Sequence, residues 1–254
     1  MGAVRTLLKK QREMGSSSSH KRKYLKIDVN PPTSKSKRCS LEETSLDKFK
    51  SKRCNNNLEE TSMDKLKAGF WKNPVRAVKR ACKATDDEIL EKVADWRGGS
   101  TAVAAILING VKLLVANVGD SRAISCINGI PRQITIDHDP HREKHLVQSR
   151  GGFVSKRPGC APRVDDQLAM SRAFGDGKLK EHITAEPDVM VHKIDDHTDF
   201  IILASDGLWK VMTNEEACDC IKDIDDAKKA SKKLVKEALR KGSYDDISCI
   251  VVMF

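Results

Sequence analysis

The pattern of hydrophobic and polar positions changes character near residue 68. Beyond it, three apolar runs follow one another at 101–108, 111–118 and 121–128, and each reads as a buried strand. Asn109-Gly110 separates the first two and Asn128-Gly129 closes the third. An Asn-Gly pair between strand-like runs is a strong hairpin signal. Similar runs recur at 187–194, 199–205 and 246–254. Helices punctuate them. Asn73-Pro74 combines a capping side chain with a proline at the first helical position, and Val75, Val78, Cys82, Ile89 and Val93 then fall on one face. Asp139-Pro140 opens a short helix to about residue 150, and two further helices are expected at 213–224 and 226–241. Runs of strands with helices gathered together imply an α+β class rather than an alternating parallel fold.

Residues 1–67 read differently. They are rich in Ser, Lys, Arg and Asn and lack a sustained apolar period, so they are expected to form a basic, largely disordered arm ahead of a domain at 68–254. Tyr24–Val29 alternates like a strand but stands alone. A short repeat follows: Ser36-Lys37-Arg38-Cys39 through Lys50 recurs as Ser51-Lys52-Arg53-Cys54 through Lys67. Two copies are too few for a solenoid.

Charge follows the same division. The arm holds 17 Lys and Arg against 8 Asp and Glu, a net +9, and the rest holds 29 against 28. Lys21-Arg22-Lys23 and Lys35–Arg38 are basic patches, but no aromatic interleaving or nucleic-acid motif accompanies them, so no specific nucleic-acid partner is expected. No apolar run approaches the roughly 18 residues that span a bilayer. Met1–Met14 lacks a secretory apolar core, and an intracellular protein of cytoplasm or nucleus is expected. Met1-Gly2-Ala3-Val4-Arg5-Thr6 fits the N-myristoylation pattern at Gly2, which with Lys9, Lys10 and Arg12 would give a weak membrane anchor. Eight cysteines without C-x-x-C spacing make no disulfide framework. His138, His141 and His145 are close in sequence, but Asp139-Pro140 interrupts any helical spacing between them, and no zinc site is expected.

The candidate chemistry is acidic. Asp120 ends one apolar run, Asp206-Gly207 ends another and Asp245-Asp246 precedes the last. Phosphoester hydrolysis at neutral pH uses hard cations to activate water and to relieve phosphoryl charge. Mg²⁺ and Mn²⁺ take oxygen ligands, so carboxylates at strand ends suit them. The segments Asn117-Val118-Gly119-Asp120-Ser121-Arg122, Arg150-Gly151-Gly152, Ser171–Asp176, Ala204-Ser205-Asp206-Gly207-Leu208-Trp209 and Asp245-Asp246-Ile247-Ser248 stand in one order. In that order they resemble the plant branch of the type 2C, metal-dependent Ser/Thr protein phosphatases. The resemblance runs from about Phe70 to Phe254. It implies a β-sandwich flanked by helices. It also implies that Asp206 and Asp245 ligate the second metal, that Asp120 belongs to a third-ion site and that Arg122 orients its own turn. Gly98-Gly99-Ser100-Thr101-Ala102 resembles the family's opening of a core strand, where packing is its main work. The residue after Trp209, acidic in much of the wider family, is Lys210, as in plant members.

The resemblance also implies parts that this sequence lacks. The family's early Arg-x-x-Met-Glu-Asp and Asp-Gly-His-Gly segments have no match, and with them go the bridging Asp, a Glu ligand, the phosphate-binding Arg and a general-acid His. The expectation is therefore a sandwich without the family's first strands and without a catalytic residue to assign. Mn²⁺ or Mg²⁺ binding would be weakened or lost, and phosphatase activity absent or very weak. Any function would be by binding phosphoproteins or kinase complexes. The alternative is an active Mn²⁺/Mg²⁺-dependent Ser/Thr phosphatase whose arm replaces the lost ligands. Val164-Asp165-Asp166 puts Asp where the family has Gly, which predicts a strained turn.

Overall fold

The computed structural model describes residues 70–92 and 98–254, and the backbone of 4–12. The elements are β1 (Val4–Arg12), α1 (Pro74–Lys92), β2 (Gly99–Ile108), β3 (Lys112–Val118), β4 (Arg122–Ile127), β5 (Ile130–Gln133) and α2 (Lys144–Ser149). There follow β6 (Val154–Ser155), β7 (Arg163–Val164), β8 (Phe174–Gly175), β9 (Asp188–Lys193), β10 (Thr198–Ala204), α3 (Asp206–Trp209), α4 (Asn214–Ile221), α5 (Ala227–Arg240) and β11 (Cys249–Met253). The class is α+β, with antiparallel sheets.

One sheet has the order β1-β2-β3-β9 with β8 against β2, and the other β11-β10-β4-β5. Val103, Ala105, Leu113 and Val115 of the first face Ala123, Ile201 and Leu203 of the second, forming the inner core. The opposite face of the second sheet packs Ile124, Ile202 and Val251 on Leu208, Ile221 and Leu234 of the three C-terminal helices. The opposite face of the first packs Ala102, Val118 and Phe174 against Cys82 and Ile89 of α1. The result is four layers: helix, sheet, sheet, helices. Covering on both sides explains why β3 and β10 read as unbroken apolar runs instead of alternating.

The hairpins form where expected. Asn109 and Gly110 have φ of 53° and 74°, and Asn128 and Gly129 have 50° and 74°, the left-handed pair that a two-residue turn demands. Asn73 caps α1 by accepting from the Arg76 amide at 2.9 Å. Thr213 and Glu216 form a capping box at the start of α4. Besides the long return from β5 to β8, two short connections cross between the sheets. Residues 119–121 carry the chain from β3 to β4, and 194–197 carry it from β9 to β10 at the other end of the strands.

Three details depart from the pattern reading. β1 lies inside the segment where no element is expected, pairing antiparallel with β2 from Val4↔Ile106 to Arg12↔Gly99. Its own sequence does not alternate cleanly, so its pairing partner rather than its local pattern places it. The helix expected from Asp139-Pro140 begins only at Lys144, with the Asp139 carboxylate holding the preceding turn through the His141 amide. The fully buried positions of α1 are Ala77 and Asp86, while Val75, Val78, Cys82 and Ile89 are half-buried. Val93, Tyr24–Val29, Gly2 and the repeat at 36–67 lie outside the described residues.

Candidate metal centre

Strand register brings the three acidic signposts to one end of the sandwich. Ala204, two residues before Asp206, pairs with both Arg122 and Cys249. The end of β10, the start of β4 and the start of β11 therefore lie side by side, and Asp206, Asp120 and Asp245 flank them.

The Asp206 corner is laced by backbone and hydroxyl contacts. The Ser205 amide donates to the Ser248 carbonyl at 3.0 Å. The Ser248 amide donates to Ser205 Oγ at 2.9 Å, and that hydroxyl donates to the Asp246 carbonyl at 3.0 Å. Ser243 Oγ donates to the Gly207 carbonyl at 2.6 Å, and Trp209 Nε1 to that of Ala204 at 3.0 Å. Gly207 is required by this closeness: a Cβ there would lie 2.5 Å from the Asp246 carbonyl oxygen. The Asp206 side chain is thereby held nearly buried.

Lys210 stands one helical turn beyond Asp206. Its ammonium donates to Asp206 Oδ2 at 2.6 Å and to Asp245 Oδ2 at 2.8 Å. Burial pulls the Lys210 ammonium down, but the hydrogen bonds to the two carboxylates outweigh it and hold the group above its ordinary value. Asp245 Oδ1 accepts from the Asp246 amide at 2.8 Å.

Asp120 follows Gly119, whose φ is 102° and whose Cα lies against Thr101; an added Cβ would meet the Thr101 methyl at 2.3 Å. This gives the Gly98–Ala102 segment its packing role, extended by Thr101 Oγ1 and Ser121 Oγ at 3.0 Å. His138, fully buried, clamps the same turn. Its Nδ1 accepts from the Gly119 amide at 2.8 Å, its amide donates to the Gly119 carbonyl at 3.1 Å, and its Nε2 lies 3.1 Å from Asp188 Oδ2. An accepting Nδ1 places the proton on Nε2. Asp188 also accepts from Arg172 Nη1 at 3.1 Å, and Arg172 Nε reaches Glu143 at 3.1 Å. Burial, then the Arg172 charge, pushes the imidazole below its ordinary value. Burial alone would raise Glu143 and Asp188. Arg172 and Ser171 outweigh it at Glu143, as His138 and Arg172 do at Asp188, and both stay below the usual carboxylate range. Arg122 reaches Asp137 at 2.6 Å and Asn214 at 2.9 Å, and lies over the Trp209 ring at 5.3 Å.

A sequence profile of the family described as protein phosphatase 2C matches residues 38–247. The chain belongs to the protein phosphatase 2C family. It is 60% identical over 186 residues to probable protein phosphatase 2C 28 of Arabidopsis thaliana, covering 73% of this chain and 55% of that one. It is 56% identical over 189 residues to probable protein phosphatase 2C 62 of Oryza sativa subsp. japonica, covering 73% and 65%. The chain thus spans little more than half to about two thirds of the length of these relatives. Among solved structures, a serine-threonine phosphatase 2C from Toxoplasma gondii superposes with a TM-score of 0.65 at 26% identity, covering 78% of this chain and 72% of that one. A sex-determining protein of C. elegans gives 0.66 at 23% identity, covering 75% and 50%, a likeness of fold alone.

The protein phosphatase 2C family is metal-dependent, so the described donors are to be measured against that need. Among the described residues no group of three or more His, Cys, Asp or Glu stands together as a metal site. Asp206 and Asp245 meet, but at one ammonium. These residues alone do not fit a pair of ions. His138 is engaged by Gly119 and Asp188. The six described cysteines are free thiols, and burial pushes Cys82 up to about 11 and Cys249 up to about 12, which keeps them poor nucleophiles. Among the described residues no helix is long and apolar enough to cross a membrane. The reading of single residues missed two things here. Lys210 was visible as an i,i+4 partner of Asp206, but its second partner is 35 residues away. The His138–Asp188–Arg172–Glu143 network joins three segments, around 138–143, 172 and 188, and left no local signal.

Proposed function

We propose that this chain is a type 2C phosphatase-like protein with an incomplete metal- and phosphate-binding site, without phosphatase activity or with very little, that acts by binding phosphoproteins or kinase complexes. The observation that carries this reading is the Asp206–Asp245 pair joined by Lys210, with no larger donor group among the described residues. The absent Asp-Gly-His-Gly and Arg-x-x-Met-Glu-Asp segments support it from sequence. Without a bridging carboxylate and a phosphate-binding arginine, the charge stabilisation that dominates phosphoryl transfer is missing. Mn²⁺ or Mg²⁺ binding is weakened, Asp206 and Asp245 are remnant ligands, and Asp120 is a remnant of a third-ion position. The protein works inside the cell, in cytoplasm or nucleus.

A second reading has its own support. The 60% identity to a relative named as a probable phosphatase favours a working Mn²⁺/Mg²⁺-dependent Ser/Thr phosphatase, with residues of 1–67 completing the site. Hydrolysis of a phosphothreonine peptide at millimolar Mn²⁺ decides between them, with Asp206→Asn as control and circular dichroism to establish folding. The first reading expects no turnover from folded protein. Turnover abolished by Asp206→Asn would overturn it.

A further inference from the structure

We propose that Lys210 is the resident cation of the Asp206–Asp245 pair, its ammonium occupying the point that a divalent ion shared by these two carboxylates would need. The inference shares with the reading above an incomplete donor set. It goes further by naming what fills the set and what a metal must displace.

The geometry is built rather than incidental. The Lys210 amide donates to the Asp206 carbonyl at 2.9 Å, which places the two side chains one helical turn apart on the same face. Asp245 is aimed by the Asp246 amide on its Oδ1, leaving Oδ2 toward the ammonium. Both Oδ2 atoms therefore converge on one nitrogen, at 2.6 and 2.8 Å. Mg²⁺ takes carboxylate oxygens at about 2.0–2.1 Å, so an ion bound by both would have to sit in the same small volume as the ammonium. Two cations cannot share it. An ammonium offsets one of the pair's two negative charges, donates hydrogen bonds in fixed directions and offers no coordination position to a water. The lysine side chain is 51% exposed, against 10% for that of Asp206. A divalent ion could thus evict the lysine into solvent, but only by replacing two ion pairs already made. Divalent binding at this corner is consequently a competition, and its affinity is set by residue 210.

The test is Mn²⁺ affinity, read from the loss of the free-ion electron paramagnetic resonance signal, for the full chain and three variants. Lys210→Met is expected to bind Mn²⁺ about tenfold or more tightly than the parent, because the competitor is gone. Lys210→Arg should stay as weak as the parent. Adding Asp206→Asn to Lys210→Met should abolish the gain, which places it at this corner. Equal affinity in parent and Lys210→Met, or weaker affinity in the variant, overturns the proposal. Should Lys210→Met not fold, reductive methylation of the parent mapped by mass spectrometry gives the answer. Lys210 should react more slowly than exposed Lys83 and Lys92 in metal-free buffer and faster as Mg²⁺ is raised to saturation, and metal-free labelling as fast as theirs overturns the assignment. Phosphopeptide turnover tests the functional reading and Mn²⁺ affinity tests this one, so either can fail without the other.

Discussion

Two clusters of charge stand at the same end of the sandwich, and they are built on different plans. In the first, Arg172 joins Glu143 and Asp188, Asp188 joins His138, and His138 grips the Gly119 backbone. Arg172 and Glu143 side chains are only 11% and 14% exposed. In the second, a half-exposed lysine bridges Asp206 and Asp245 by one oxygen each. The buried cluster ties β9 to the loops before α2 and β8 and to the β3–β4 turn, so it locks the shape of the site end. The second corner reaches solvent through its lysine, while Asp206 beneath it stays nearly buried. Charge alone does not distinguish the two clusters; the burial of the cation does, the Arg172 side chain being 11% exposed and that of Lys210 51%.

The sharpest way to break this comparison is to remove one member of each. Arg172→Ala strands two carboxylates in a poorly solvated place and is expected to cost about 3–5 kcal/mol, read from urea unfolding. Lys210→Ala in metal-free buffer is expected to cost only about 0–1 kcal/mol, as for other solvent-screened pairs. Comparable losses at the two sites would erase the distinction. Gly207→Ala falls between them. Its Cβ must push the Asp246 carbonyl away, an overpacking cost of about 1–3 kcal/mol that also displaces Asp245, so Mn²⁺ affinity and stability should fall together.

Proton linkage sharpens the same contrast. His138 is held neutral, with its affinity for a proton below the ordinary value of 6.5. Stability from this group is complete above about pH 6.5. It falls as the pH drops from there toward the lower folded value, because the unfolded chain takes up a proton that folded His138 refuses. Glu143 and Asp188 act further down, their contribution being present above their ordinary values of 4.5 and 3.8 and lost on acidification through their lower folded ones. His138→Asn, which keeps an acceptor for the Gly119 amide, should remove the first fall and leave the second. An unchanged profile between pH 7 and 5 would mean that the imidazole is not the group responsible. The smallest effect is expected at Lys83, exposed and paired with Asp87 on α1: Lys83→Ala should leave the urea midpoint where it was.

Sequence legibility follows interaction range. Asn109-Gly110 and Asn73-Pro74 encode a turn and a cap within a few residues, and both form. The unbroken apolar runs of β3 and β10 announced burial, since their covering layers leave no room for a polar side. Asp86 is a contrary case. It sits in an otherwise ordinary amphipathic helix, yet it is buried because the Gly175 amide and the Lys180 ammonium reach it at 2.8 and 2.9 Å from about ninety residues away. Nothing within one turn of α1 signals that. The turn at Asp165 and Asp166 was legible in the other direction. Asp166 takes a positive φ of 60°, as the missing glycine predicts, and Asp165 before it takes one of 50° that was not expected. The Phe153 amide and His182 on Asp165, and Ser155 on Asp166, show what holds them there. At the candidate centre the acidic signposts were visible one by one; the meeting of Asp206 and Asp245 at a lysine depends on β10–β11 pairing, which no local pattern carries.

The two short crossings between the sheets have a mechanical consequence. One stitch, at residues 119–121, lies at the site end, and the other, at 194–197, lies at the far end of the strands. A book bound along opposite edges does not open from either. Whatever this protein grips must therefore be reached by loops and side chains moving over a stiff frame, since the two layers are fastened at both ends and cannot part like jaws.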